Sequence, residues 1–244
     1  MLKKICQLIF LFIVGAIAGI FSDQILWPYF IERPLFYQYG LERQPIYVTE
    51  RKEVIIEENI ALTEAVAKTE KAIVAISSKS KAGKIINGSG LIVSSEGLVL
   101  TLAEMVPAGF NSTVFLEGQS VSGQVLKRDL KENLALLKIE QKNLLTLGFS
   151  DFSRLRLGER VFIVSASLVQ KQGASGLAVE KSVNEGIVKK VSDDSIQTNI
   201  LESAAVKASP LLNIKGEVVG LNNIDSVGRL FAIPAPKLRS FLGF

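Results

Sequence analysis

From Ala72 to Ile233 the chain is a succession of short runs rich in Val, Ile, Leu and Thr, each closed off by Gly, Asn, Asp or Ser. No other feature restricts the fold so tightly. The runs are AIVAIS (72–77), GLIV (90–93), LVLT (98–101), STVFL (112–116), SVSGQVLK (120–127), LALLKI (134–139), RVFIVSA (160–166), EGIVKKV (185–191), SIQT (195–198), EVVGLN (217–222) and RLFAI (229–233). β-Branched residues fit a pleated, half-buried surface, and strands of this length and spacing predict a sandwich or a closed barrel. Ser94-Ser95-Glu96-Gly97 and Ile214-Lys215-Gly216-Glu217 fall where hairpin turns are needed. Ahead of the runs, NIALTEAVAKTEK predicts a short helix, with Asn59 as its cap and Ile60, Leu62 and Val66 as its apolar residues.

The N-terminus is of a different kind. Lys3 and Lys4 precede Ile5 to Phe21, where Gln7 is the only polar side chain. A spanning helix takes roughly 17–25 apolar residues, so the run is long enough to cross a membrane. The paired lysines orient such a span with its N-terminus in the cytoplasm and everything after it outside. A cleaved signal peptide competes with this reading, because Ala16-Ile17-Ala18 fits an A-x-A processing site, with cleavage after Ala18. The flank favours an uncleaved anchor: Trp27, Tyr29, Tyr37, Tyr39 and Tyr47 follow the span, and such rings settle at the headgroup layer. Pro28, Pro34 and Pro45 mark residues 28–52 as a juxtamembrane linker. The expected organisation is therefore a stub and anchor over 1–27, a linker over 28–52 and a folded domain over 53–244.

Inventory excludes several chemistries. The chain has no histidine and a single cysteine, Cys6. Any Ser-His-Asp or Cys-His mechanism is ruled out, as are an intrachain disulfide and a cysteine metal site. The net charge of +4 comes from scattered Lys and Arg, which gives no nucleic-acid footprint. No metal site is legible among the dispersed acidic residues, and no cofactor is implied.

Five segments then occur in a telling order: NGSGLIVSSEGLVLT, KRDLKENLALLKI, LGFSDFSRLRLGERVFIVSASL, SIQTNILESAAVKASPLLNIKGEVVGLN and RLFAIPAPKLRSFL. From about residue 55 onward the chain resembles the protease domain of the HtrA/Deg family of trypsin-like serine proteases. The resemblance implies an all-β fold of two antiparallel six-stranded barrels, about 72–147 and 155–235, with the site in the cleft between them. It also implies serine endopeptidase activity for an intact member.

At the positions that matter the sequence departs from the family. Where the family reads Thr-Asn-Asn-His, this chain reads Thr101-Leu102-Ala103-Glu104, so Glu104 replaces the histidine. Asn133 replaces the aspartate of Asp-Leu-Ala-Leu-Leu. The family's Gly-Asn-Ser-Gly-Gly falls on Ala205-Val206-Lys207-Ala208-Ser209, so Lys207 replaces the nucleophile and three glycines are gone. The oxyanion-hole positions are then Ala205 and Lys207, and an alanine at 205 predicts a hole that does not form. Ser209 is the fallback nucleophile, two residues off register and followed by Pro210, while Ser203 misses the S-x-x-K spacing to Lys207. Two readings of the three replacements stay open. They form a structural cluster, with Lys207 and Glu104 ion-paired and Asn133 relieving the repulsion an aspartate would bring. Otherwise they drifted independently, and both charges are solvated.

The functional expectation is a single-pass protein of the bacterial cytoplasmic membrane whose outer domain has lost catalysis. Such a pseudoprotease would bind proteins or peptides of the envelope or act as a scaffold; the alternative is a diverged, active HtrA-type endopeptidase. The resemblance further implies a homo-oligomer, a trimer by analogy, and leaves no room for a PDZ domain after the closing segment.

Overall fold

The computed structural model describes residues 2–24, 58–116, 118–170 and 176–243. The chain divides into two units, Met1–Ile55 and Ile56–Phe244. In the first, helix α1 (Leu2–Phe21) begins directly after the N-terminal methionine. An 18-residue window within Lys3–Gln24 has a mean hydropathy of 2.4, and the length and composition of the helix suffice to cross a membrane. From Ile5 to Phe21 its Leu, Ile and Phe side chains are exposed. Trp27, the tyrosines and the linker 28–52 lie outside the described residues.

The second unit opens with α2 (Glu58–Thr69), and a 3-10 turn leads into the first of twelve strands. Strands β1 (Ile73–Ser80), β2 (Ile85–Ser94), β3 (Leu98–Leu102), β4 (Phe110–Leu116), β5 (Gln119–Asp129) and β6 (Leu134–Ile139) close one barrel in the order β1-β2-β3-β6-β5-β4. Strands β7 (Arg160–Gln170), β8 (Leu177–Val191), β9 (Ile196–Thr198), β10 (Pro210–Asn213), β11 (Val218–Ile224) and β12 (Leu230–Pro234) close the other as β10-β11-β12-β9-β8-β7. All strand pairings within the barrels are antiparallel. Helix α3 (Ala235–Leu242) follows. Closure leaves each barrel an interior that side chains fill. Leu91, Leu100, Leu134 and Leu137 have no exposed surface in the first barrel, nor have Val161, Leu211 and Val219 in the second. Each such side chain contributes about 1.5–3 kcal/mol on burial.

Two local expectations need correction. Helix α2 starts at Glu58, so Asn59 sits inside its first turn instead of capping it. Its core face is Leu62, Ala65 and Val66, at i, i+3 and i+4, while Ile60 is 49% exposed. Strands β7 and β8 also run further than the apolar runs suggest, pairing from Arg160↔Ile187 out to Gln170↔Leu177. No residue of Leu177–Ile187 is buried, so this ribbon carries no hydrophobic alternation by which to recognise it.

The barrels are welded where β2 meets β7. Ser89 is fully buried, and its Oγ accepts from the Ala166 N–H at 3.0 Å and donates to the Ala166 carbonyl at 3.2 Å. Its backbone N–H donates to the Lys207 carbonyl at 3.0 Å. The adjacent Gly88 permits this approach, since a Cβ there would stand 2.3 Å from Met105 Sδ and 3.4 Å from the Lys207 carbonyl oxygen. On α3, Lys237 bonds Glu132 of the first barrel at 2.8 Å and Asp194 of the second at 2.7 Å.

Candidate functional site

Strand β3 runs into a single 3-10 turn, Ala103–Met105, which carries Glu104. Asn133 stands immediately before β6, and the Leu102↔Leu134 pairing brings the two residues side by side. Asn133 has φ +53°, a left-handed conformation that asparagine tolerates better than most residues. That backbone lets it clamp the turn. Its carbonyl accepts from the Ala103 N–H at 3.0 Å, and its Oδ1 accepts from the Glu104 N–H at 3.1 Å. Its Nδ2 reaches Glu104 Oε1 at 3.5 Å, a weak contact. Arg128 steadies the same turn, its Nη2 donating to the Ala103 carbonyl at 3.3 Å.

Lys207 approaches from the second barrel, at the end of the 3-10 turn Ala204–Val206. Its Nζ lies 3.1 Å from Glu104 Oε1 and 3.2 Å from Oε2. The Lys207 side chain is 21% exposed and that of Glu104 38%, so the pair is partly withdrawn from water. The structure thus gathers Glu104, Asn133 and Lys207 at one point and bridges the barrels there with charge.

The backbone N–H groups at the oxyanion-hole positions have partners within the loop itself. An oxyanion hole needs two N–H groups aimed at the place where negative charge develops. Here the Ala205 N–H is directed at Ser203 Oγ, 3.4 Å away, and the Lys207 N–H donates to the Ala204 carbonyl at 3.2 Å. Both donors are spent within the 3-10 turn. Ser209 is fully buried; its hydroxyl donates to the Val206 carbonyl and accepts from Asn222 Nδ2 at 3.1 Å. Its oxygen therefore serves the barrel wall. Between Lys207 and Ser209, Ala208 has φ +63° and is fully buried, so the chain holds a left-handed residue without the glycine that suits it.

Among the described residues no group of three or more His, Cys, Asp or Glu is arranged to hold a metal ion. A groove of about 1000 Å³ lies elsewhere, between the β7–β8 arm and the first barrel, with Phe115, Leu144, Leu177 and Val179 among its walls. Three residues that shape the site gave little sign of it in the sequence. Ser89 stood just ahead of the GLIV run (90–93), Ser203 read as a mis-spaced nucleophile, and Arg128 as one of many scattered cations. Ser89 finds its partner only where β2 meets β7, and Arg128 only where it reaches the Ala103 carbonyl, while Ser203 bonds within its own turn.

Comparison with known proteins agrees with this geometry. A family model described as "Trypsin-like peptidase domain" matches residues 88–221. The chain is 34% identical to "Serine protease HTRA1" of Xenopus laevis over 164 residues, which is 64% of this chain and 35% of that protein. It is 33% identical to a "Probable periplasmic serine endoprotease DegP-like" of Pseudomonas putida over 162 residues, 60% of this chain and 32% of that one. The chain thus spans about a third of the length of the curated relatives it matches. Paired six-stranded barrels, a matching domain model and relatives of this kind lead to one assignment: the chain belongs to the HtrA/Deg-like family of trypsin-like serine proteases.

Proposed function

We propose that this chain is a membrane-anchored, extracytoplasmic pseudoprotease, a trypsin-like barrel pair that binds or scaffolds envelope proteins or peptides without cutting them. The observation that carries the reading is Lys207, at the nucleophile position, with its ammonium 3.1 Å from the Glu104 carboxylate. An ammonium has no lone pair with which to attack a carbonyl, and a lysine at the nucleophile position offers Glu104 no hydroxyl to deprotonate. The inward-turned N–H groups of Ala205 and Lys207 support the same reading. They leave nothing preorganised for a tetrahedral intermediate. The apolar helix behind Lys3 and Lys4 supports a single pass of the bacterial cytoplasmic membrane with the barrels outside. Assembly as a homotrimer is carried over from the family by analogy alone.

A broad serine-reactive fluorophosphonate probe, applied to the full chain alongside a casein digest, tests the reading. We expect no labelled serine and intact casein. Labelling at any serine, with casein cleaved, would instead establish a diverged endopeptidase. A peptide-library pull-down then separates a peptide-binding role from a purely scaffolding one.

A further inference from the structure

We infer that the tip of the β1–β2 hairpin is a docking surface for an anionic lipid bilayer. Lys79, Lys81 and Lys84 crowd this tip and are all exposed. Among the described residues none of the three takes part in an ion pair. Residues 72–95 contain no Asp or Glu, and neither do residues 105–116, which include the β4 strand beside β1. The positive charge is therefore uncompensated along the hairpin and its neighbour. Ile85, directly across from Lys79, is 57% exposed, and Ala82 is exposed at the apex.

The tip is also preformed. The Ser80 N–H donates to the Lys84 carbonyl at 2.8 Å, the Gly83 N–H to the Ser80 carbonyl at 3.0 Å, and the Lys84 N–H to Ser80 Oγ at 3.0 Å. Gly83 supplies the positive φ of +87° that this turn requires. A surface already ordered loses little entropy on docking.

Cations surrounding an exposed isoleucine suit the headgroup layer of an anionic membrane, where lysines meet phosphate and an apolar side chain dips toward the acyl boundary. The occupant is chosen as lipid because the same chain carries a helix of membrane-crossing length. The proposal rests on the membrane-anchored reading above. Each lysine near such a surface strengthens attachment about fivefold, so the three together give about a hundredfold.

The test uses the full chain reconstituted into vesicles of phosphatidylcholine, with or without phosphatidylglycerol. In a Cys6→Ser background, Ala82→Cys carries an environment-sensitive dye, and a headgroup nitroxide lipid acts as quencher. Val227→Cys, at the exposed β11–β12 turn, is the control probe. We expect quenching at position 82 only with phosphatidylglycerol. The triple variant Lys79→Gln, Lys81→Gln, Lys84→Gln should lose it, as should high salt, where the screening length falls to about 3 Å. Equal quenching in both vesicle types, retention in the triple variant, or equal quenching at 227 overturns the proposal. So does capture of polyglutamate by the tip without lipid quenching, which assigns the surface to an acidic protein. Carbonate extraction separates the two layers. Chain that is extracted refutes the anchor and the docking with it, whereas resistant chain without quenching refutes the docking alone.

Discussion

The ion pair between Glu104 and Lys207 separates a structural cluster from independent drift, and a double-mutant cycle measures the difference. At 3.1 Å the attraction between unit charges is about 1.3 kcal/mol at the dielectric of water and about 5 kcal/mol at an effective value of 20. Exposures of 21% and 38% place this pair between those limits. Holding a lysine and a glutamate in one geometry opposes the attraction by up to about 1.5–2 kcal/mol for each side chain. Exposed pairs measured in this way give about 0.2–1 kcal/mol. Both carboxylate oxygens lie within 3.2 Å of the ammonium, and Asn133 already orients the glutamate turn, so the coupling should sit at the upper end, about 1 kcal/mol. The cycle comprises wild type, Glu104→Ala, Lys207→Ala and the double variant, unfolded with urea as full chain in mild detergent. A coupling of that size corresponds to a shift of about 2–4 °C in Tm for a domain of this size. A coupling below about 0.3 kcal/mol, within the scatter expected of independent sites, would refute the reasoning: the two charges would then be solvated neighbours.

Three further outcomes follow from the geometry. Restoring the triad residues alone, with Glu104→His, Asn133→Asp and Lys207→Ser together, should leave casein intact and the fluorophosphonate unreacted, because the loop N–H groups remain turned inward; burst labelling of the new serine would contradict this. Ala208→Gly should change stability by no more than about 1 kcal/mol although it deletes a buried methyl, since removing a left-handed alanine returns about 1–2 kcal/mol. Ala135→Gly, an equally buried methyl in the middle of a paired strand, gains no such relief and should cost more in the same urea titration. At the Lys237 clamp, hydrogen bonds from Lys237 hold the Asp194 carboxyl below its usual range, and those to Asp194 and Glu132 hold the ammonium above its own. A depressed carboxyl contributes stability that is present above its unfolded pKa and lost as pH falls through the folded value; a raised ammonium contributes below its unfolded pKa and loses it as pH rises through the folded value. The Tm gap between wild type and Lys237→Met should therefore be steady from about pH 5 to 9 and close in strong acid and strong base; a gap that does not vary with pH would assign the lysine to packing alone.

Much of the fold was legible because barrel strands announce themselves: LALLKI and its fellows are short, apolar and punctuated by turns, and LALLKI coincides with β6, Leu134–Ile139. The sequence misled where burial was one-sided or absent. Ala65 lends little hydrophobicity to a pattern, yet its small side chain is 4% exposed and lets α2 approach the barrel; the pattern shows Leu62 and Val66 of the true face but offers exposed Ile60 in place of Ala65. Past Ala166, and along Leu177–Ile187, the β7–β8 arm buries no residue fully and Leu168 and Val179 only in part, so it has no alternation to betray it. At the site, the three replaced positions could be found by matching segments to the family. The direction of the Ala205 and Lys207 N–H groups could not, and neither could the left-handed Ala208. The Ala208 conformation depends on a partner supplied from afar, the Asn222 carbonyl that accepts its N–H at 2.8 Å.

The Ser89 weld bears on how this molecule can move. Parting the two barrels like the covers of a book would strip one buried side chain of both its bonds to Ala166 and its backbone bond to Lys207 at the same instant. Each orphaned group costs about 1–3 kcal/mol, and water cannot reach a residue with no exposed surface until the seam has already opened. The halves should therefore exchange their amide hydrogens as one cooperative block, with β2 and β7 in the slowest class. Rearrangement of the cleft is left to the short turns around it, working on a rigid frame.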